Sequence, residues 1–221
     1  MTTLYRDAVL EKEYIAEEVA TATFALGCFW KPDSRFGILP GVIRTRVGYA
    51  GGTSAHPTYR QLDGHAETLQ VDYDPSLVTY QQLLETFWQS HDSFAIAASP
   101  QYRSVIFVHN ESQLDTAHAS LNVATAGSGA RPQTEIVPFE RMTRAENYHQ
   151  KYRLQALARA RTVREELLDR CGTFNAFVDS TVAARINGYI AGWGSREKLE
   201  QQIGAFGLSE MAKAELRAAV P

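Results

Sequence analysis

The segment from Glu67 to Tyr73 constrains the fold most. Glu67, Leu69, Val71 and Tyr73 fall on one side of a strand, and Thr68, Gln70 and Asp72 fall on the other. This is the period-two alternation of a sheet with one apolar face. Asp74-Pro75 ends it. A few residues on, the period changes: Tyr80, Leu83, Leu84, Phe87 and Trp88 share one face of a helix, opened by a capping box of Thr79 and Gln82. A one-faced strand followed directly by an amphipathic helix hides its apolar surface in a layered α+β arrangement.

The remaining elements supply the other layers. Residues 21–26 read as a first strand closed by Gly27, and the Pro32 that follows is tolerated only in a helix's first turn. A helix here therefore starts at Cys28 or just after it. Ile43, Thr45, Val47 and Tyr49 alternate as a second strand beyond Pro40-Gly41. Tyr102 to His109 reads as a fourth strand, and Leu114, Ala117, His118 and Leu121 mark a further helix. Ala126 to Ala130 is a small-residue linker, and Thr134 to Val137 is a short strand. The core order is β-α-β-β-α-β, the pattern of a ferredoxin-like α/β sandwich with both helices on one face.

From Ala145 the chain reads as wholly helical. Arg141, Arg144, Arg153, Arg159, Arg161, Arg164 and Arg170 are interleaved with Glu165, Glu166 and Asp169, which predicts a solvated helix face and not a nucleic-acid site. The expected organisation is a catalytic domain over residues 1–152, with residues 153–221 as a helical C-terminal extension packed on it.

Composition narrows the class. Hydrophobic residues make up 44% and charged residues 21% of 221, enough for a packed core, and the net charge of −3 gives no reason to expect nucleic acid or an anionic membrane as partner. No apolar run reaches transmembrane length. Asp7, Glu11, Glu13, Glu17 and Glu18 give the N-terminus the wrong charge for a transit peptide. Two cysteines are no disulfide framework. The expectation is a soluble cytoplasmic monomer.

Cys28 is the most informative residue. A strand-ending glycine before it and a helix start after it aim backbone N–H groups at the sulfur, which favours thiolate. Cysteine is also a common small core residue, and on the residues alone both readings stand. Phe29 and Trp30 are either core or the walls of an apolar pocket beside that sulfur. Glu67 shares a face with Leu69 and Val71. Held inward, its carboxyl has a raised pKa and acts as a general acid; at the strand's mouth, it reaches water. The six histidines show no metal-ligand spacing, so no metal and no bound cofactor are expected. A cysteine hydrolase would need His65 or His149 at the sulfur.

Gly27-Cys28-Phe29-Trp30 resembles the signature of the A-type peptide-methionine (S)-S-oxide reductases. The similarity continues through Leu39-Pro40-Gly41-Val42, Val47-Gly48-Tyr49, Pro57-Thr58-Tyr59, Gly64-His65-Ala66-Glu67, Gln101-Tyr102-Arg103-Ser104 and Ala145-Glu146-Asn147-Tyr148-His149-Gln150, in family order across residues 21–152. The resemblance implies reduction of methionine S-sulfoxide, free or in proteins, as a repair reaction. Cys28 would attack the sulfoxide sulfur and Glu67 would protonate its oxygen. Tyr59 and Tyr102 match the tyrosines that hold that oxygen, and Phe29 and Trp30 match the S-methyl pocket. The resulting Cys28 sulfenic acid is reduced by Cys171, as a possible resolving thiol, or by thioredoxin, glutaredoxin or a small thiol.

Three departures from the family pattern stand out. Lys31-Pro32-Asp33 follows the signature; Ile96-Ala97-Ala98-Ser99-Pro100 lies in a shortened loop without the usual aspartate; Thr143-Arg144 replaces an aromatic pair. They leave open a substrate-shifted or non-catalytic relative acting as a binding module.

Overall fold

The first strand becomes the middle of a sheet. In the computed structural model, which describes residues 18–127 and 132–221, β1 (Ala20–Leu26) is followed by β2 (Val42–Ala50), β3 (Ala66–Tyr73), β4 (Ser104–Val108), β5 (Glu135–Pro138) and β6 (Met142–Arg144). The strand order is β5-β4-β1-β3-β2-β6. All neighbours are antiparallel except β4 and β5. Asp7 to Glu17 and residues 128–130 of the linker lie outside the described residues.

Register sets which side chains meet. Leu69 pairs with Phe24 on one side and Val47 on the other, and Val71 pairs with Ala22 and Thr45. That face is closed by Phe36 of α1 (Trp30–Gly37), Leu83 and Phe87 of α2 (Tyr80–Trp88) and Ala117 of α3 (Glu111–Thr125) in one apolar cluster. The capping box forms as the sequence predicts: the Gln82 N–H donates to Thr79 Oγ1 at 3.2 Å, and the Thr79 N–H to Gln82 Oε1 at 2.8 Å.

The structure departs from the sequence reading in three places. Tyr102 lies in a short 3₁₀ turn over Pro100–Tyr102, ahead of β4 and not in it. Strand β6 is a three-residue edge, too short to carry a periodic signal. Helix does not begin at Ala145. The Ala145 N–H continues the edge by donating to Val47 O at 3.0 Å. The Gln150 side chain then takes a strand's place on β2, accepting from Val47 N at 3.0 Å and donating to Val47 O at 2.8 Å. Lys151 turns the chain at φ +47°, and only then does α4 (Tyr152–Ala156) start.

The C-terminal segment continues with α5 (Arg161–Cys171), α6 (Phe174–Val178), α7 (Thr181–Ile190), α8 (Arg196–Gln202) and α9 (Glu210–Ala219). It has an apolar cluster of its own, built on Leu154, Val163, Phe177, Ile186, Phe206 and Leu216. Its arginines are not simply solvated. Arg159, Arg164 and Arg170 donate to the backbone carbonyls of Ala219, Gln155 and Phe206 and tie the helices together. The two clusters are joined where α7 lies on α1. A Cβ at Gly188 would stand 2.7 Å from Ser34 O, and one at Gly37 2.7 Å from Ala184 O, so the helices meet backbone to backbone. No described helix is long and apolar enough to cross a membrane.

Candidate active site

Gly27 makes the corner between β1 and α1. Its φ of +92° is in the left-handed region that favours glycine, and an added Cβ would meet nothing, so conformation and not space demands it. Cys28 follows and is exposed. Phe29 is the helix N-cap, and its backbone N–H donates to Glu67 Oε2 at 3.0 Å.

Glu67 faces inward. It lies at the start of β3, cross-strand from Tyr49, and is 2% exposed. Its other oxygen accepts from Gln101 Nε2 at 2.6 Å, and Cys28 is among the groups acting on the same carboxyl. Among the described residues no cation acts on it, so burial pushes the carboxyl up against the opposing bonds from Phe29, Gln101 and Cys28.

Burial opposes the thiolate that a helix start favours. Desolvation of the sulfur is the largest influence on Cys28 and pushes the thiol up. The Trp30 backbone N–H pulls it down, as a helix start should, and Arg153 adds to that pull. The Glu67 charge and hydrogen bond push the other way. The net direction for the thiol is upward, burial and Glu67 together outweighing Trp30 and Arg153.

Around this pair stand the aromatic residues. The Tyr102 hydroxyl is pushed up to about 12, by burial first and then by Glu67 and Tyr59, so it stays a donor at neutral pH. Tyr59 is held by its own N–H, which donates to Glu146 Oε1 at 2.9 Å, while Glu146 Oε2 accepts from Tyr49 OH at 2.6 Å. The Trp30 Nε1–H donates to His149 Nδ1 at 3.1 Å, and the indole stacks on Tyr152 with 3.6 Å between centroids and 4° between planes. The His149 ring also lies 5.0 Å from Phe29 and 4.7 Å from Tyr59. Burial pulls the His149 pKa down, and since Nδ1 accepts, the neutral ring carries its proton on Nε2.

The structure thus brings together Cys28, Glu67, Phe29, Trp30, Tyr59 and Tyr102. Sequence reasoning missed Gln101, Glu146 and Tyr152 as their supports; the first two stand inside motif blocks and gave no separate signal. Cys171 is elsewhere. It ends α5, partly buried against the helical cluster, and the groups acting on it are Arg170 and Ser180, not those acting on Cys28. Both cysteines are free. His65 is also removed from the pair: its Nε2 bonds Ser54 O at 2.9 Å.

A fold of this kind, with an exposed cysteine at a strand-to-helix corner beside a buried carboxyl, defines a thiol-chemistry site. Residues 20–171 match the family model described as peptide methionine sulfoxide reductase. The chain is 41% identical to the peptide methionine sulfoxide reductase of Drosophila melanogaster over 195 residues, covering 86% of this chain and 76% of that protein. It is 41% identical to the peptide methionine sulfoxide reductase A5 of Oryza sativa subsp. japonica, covering 77% of this chain and 68% of that one. Among solved structures it resembles methionine sulfoxide reductase A of Corynebacterium diphtheriae, with a TM-score of 0.55 and 28% identity over 64% of this chain and 77% of that chain. It also resembles reduced Mxr1 from Saccharomyces cerevisiae, with a TM-score of 0.58 and 27% identity over 65% of this chain and 88% of that chain. The chain belongs to the peptide methionine sulfoxide reductase family, a family of oxidoreductases.

Proposed function

We propose that the protein reduces methionine S-sulfoxide, free or within proteins, with Cys28 as nucleophile and Glu67 as proton carrier. The observation that carries this reading is the exposed Cys28 beside the buried Glu67, whose carboxyl accepts the N–H of the adjoining Phe29 at 3.0 Å. A sulfoxide sulfur is a poor electrophile until its oxygen is protonated. As Cys28 Sγ bonds to that sulfur, the thiol proton passes to Glu67 and from Glu67 to the sulfoxide oxygen. The hydroxyl then passes from the substrate sulfur to Cys28 Sγ as the substrate's sulfur–oxygen bond and the transient sulfur–sulfur bond break, so methionine leaves with two electrons gained and Cys28 becomes a sulfenic acid. The raised thiol fits this sequence, because the proton is needed until the substrate arrives.

Tyr102, kept protonated, and Tyr59 donate to the oxygen. Phe29 and Trp30 receive the methyl group. A pyramidal sulfur whose oxygen and methyl are both fixed leaves one direction for the rest of the substrate, so one epimer is selected. The sulfenic acid then needs two external thiols: one displaces water to form a mixed disulfide, and the second releases Cys28. Thioredoxin, glutaredoxin or a small thiol can supply them. The position of Cys171 against the helical cluster favours this external route.

The two-part organisation, residues 1–152 as catalytic domain with 153–221 packed on it, is supported by the two apolar clusters. A ferredoxin-like core is supported by the antiparallel order β4-β1-β3-β2. A cytoplasmic monomer remains our reading of the sequence. Against the hydrolase alternative, no histidine is among the groups acting on the Cys28 thiol. Exposure of Cys28 argues against a purely binding role. The test is to supply a dithiol and each separated epimer of methionine sulfoxide. The S epimer should be consumed and the R epimer left; consumption of neither, or of R alone, would overturn the reading.

A further inference from the structure

Asp33, one of the departures after the signature, is fully buried on α1. Its Oδ1 accepts from Thr45 Oγ1 at 2.6 Å and from Lys151 Nζ at 3.1 Å. Its Oδ2 accepts from the Lys151 backbone N–H at 3.0 Å and from Asn187 Nδ2 at 3.3 Å. Lys151 Nζ also donates to Thr45 O at 2.6 Å and to Thr45 Oγ1 at 2.9 Å. Asn187, likewise fully buried, accepts the Leu154 N–H on Oδ1 at 3.1 Å. Leu154 is in the first turn of α4, where backbone N–H groups lack partners inside the helix.

The first turn of α4 therefore hangs from two points. Lys151, left-handed at φ +47°, is fixed by its N–H on Asp33, and Leu154 is fixed on Asn187. Tyr152, between them, is the residue stacked on Trp30. We infer that Asn187 is a positioning residue: by tying α4 to α1 it fixes Tyr152 against the Trp30 indole, and so the width of the pocket beside Cys28. The helical layer thereby shapes the substrate site without touching substrate. This inference rests on the reductase reading given above.

The experiment is steady-state kinetics on methionine S-sulfoxide for the full chain, Asn187→Ala, Tyr152→Ala and the double variant. Each single change should raise KM about tenfold with kcat within about twofold, as for loss of binding common to ground and transition states. The double variant should rise no further, because both act through one stack. Asn187→Asp, which keeps the acceptor for Leu154 N–H but loses the donor to Asp33, should raise KM as the alanine variant does. A KM unmoved in Asn187→Ala, or single effects that multiply in the double variant, would overturn the inference. If Asn187→Ala does not fold, Tyr152→Ala decides alone, and an unchanged KM there sinks the idea. Trp30 offers a readout independent of turnover, with Trp88 and Trp193, the other two tryptophans, replaced by Phe. Acrylamide should quench it more strongly in Asn187→Ala; equal quenching counts against the inference. No methionine from the unmodified protein would sink the reductase reading, while normal turnover with unmoved variants sinks only the positioning role.

Discussion

Glu67 and Asp33 are both buried carboxyls within reach of the same short helix, and they are treated in opposite ways. Asp33 faces an ammonium and three further donors, from Thr45, Asn187 and the Lys151 backbone. Glu67 accepts from two neutral N–H groups, of Phe29 and Gln101, with no cation among the described residues acting on it. A carboxyl matched by a basic side chain and by several hydrogen bonds holds structure together. One that is dry and matched only by neutral donors holds a proton easily and can pass it on. The chemistry of the site lies in this difference of partners, since burial is common to both.

Substitutions should separate the two. The largest effect is expected at Glu67→Ala, which removes both proton carrier and hydrogen bond and should lower the rate of methionine formation roughly 10²–10⁴-fold. Glu67→Gln should lose nearly as much, because an amide can neither take the thiol proton nor pass it to the oxygen. A rate largely kept in the Gln variant would show that a hydrogen bond to the oxygen suffices without proton donation. Next in size, Lys151→Ala leaves Asp33 buried without its cation and should cost about 3–5 kcal/mol in urea unfolding. The pair would be of equal kind if that variant lost activity while keeping its stability.

Smaller effects test the protonation argument. Glu67 has a folded pKa above its unfolded one, so between the two values the folded protein binds more protons and stability falls as pH rises through that window. Glu67→Gln should therefore raise the melting temperature at neutral pH and change it little at acid pH. The same variant removes two of the influences that hold the Cys28 thiol up, so alkylation of Cys28 by iodoacetamide at neutral pH should speed up. Slower alkylation would mean that Glu67 promotes the thiolate instead.

Much of this arrangement was legible in the chain. The parity of Glu67 with Leu69 and Val71 set it on the inner face, and Gly27 with Pro32 set Cys28 at a helix start, because both signals are local and periodic. The protonation of Cys28 was not legible. It depends on a carboxyl from another strand, and a helix start seen alone suggests the opposite state. Lys151 and Asp33 are 118 residues apart, and nothing local marks a lysine in a polar run as fully buried. The segment from Ala145 to Lys151 read as helix because the Gln150 side chain, not a periodic backbone pattern, completes the edge of β2.

The central claim is that Cys28 takes the oxygen from a sulfoxide and keeps it until an outside thiol arrives. Its most direct test is a single turnover without reductant, on free and peptide-embedded methionine S-sulfoxide, counting methionine formed and thiols remaining. The account predicts one methionine per chain, loss of one of the two thiols with Cys171 still titratable, and no burst from Cys28→Ser. Loss of both thiols would make Cys171 the resolving residue and remove the external route. No methionine from folded protein, or a burst that survives in Cys28→Ser, would contradict the account.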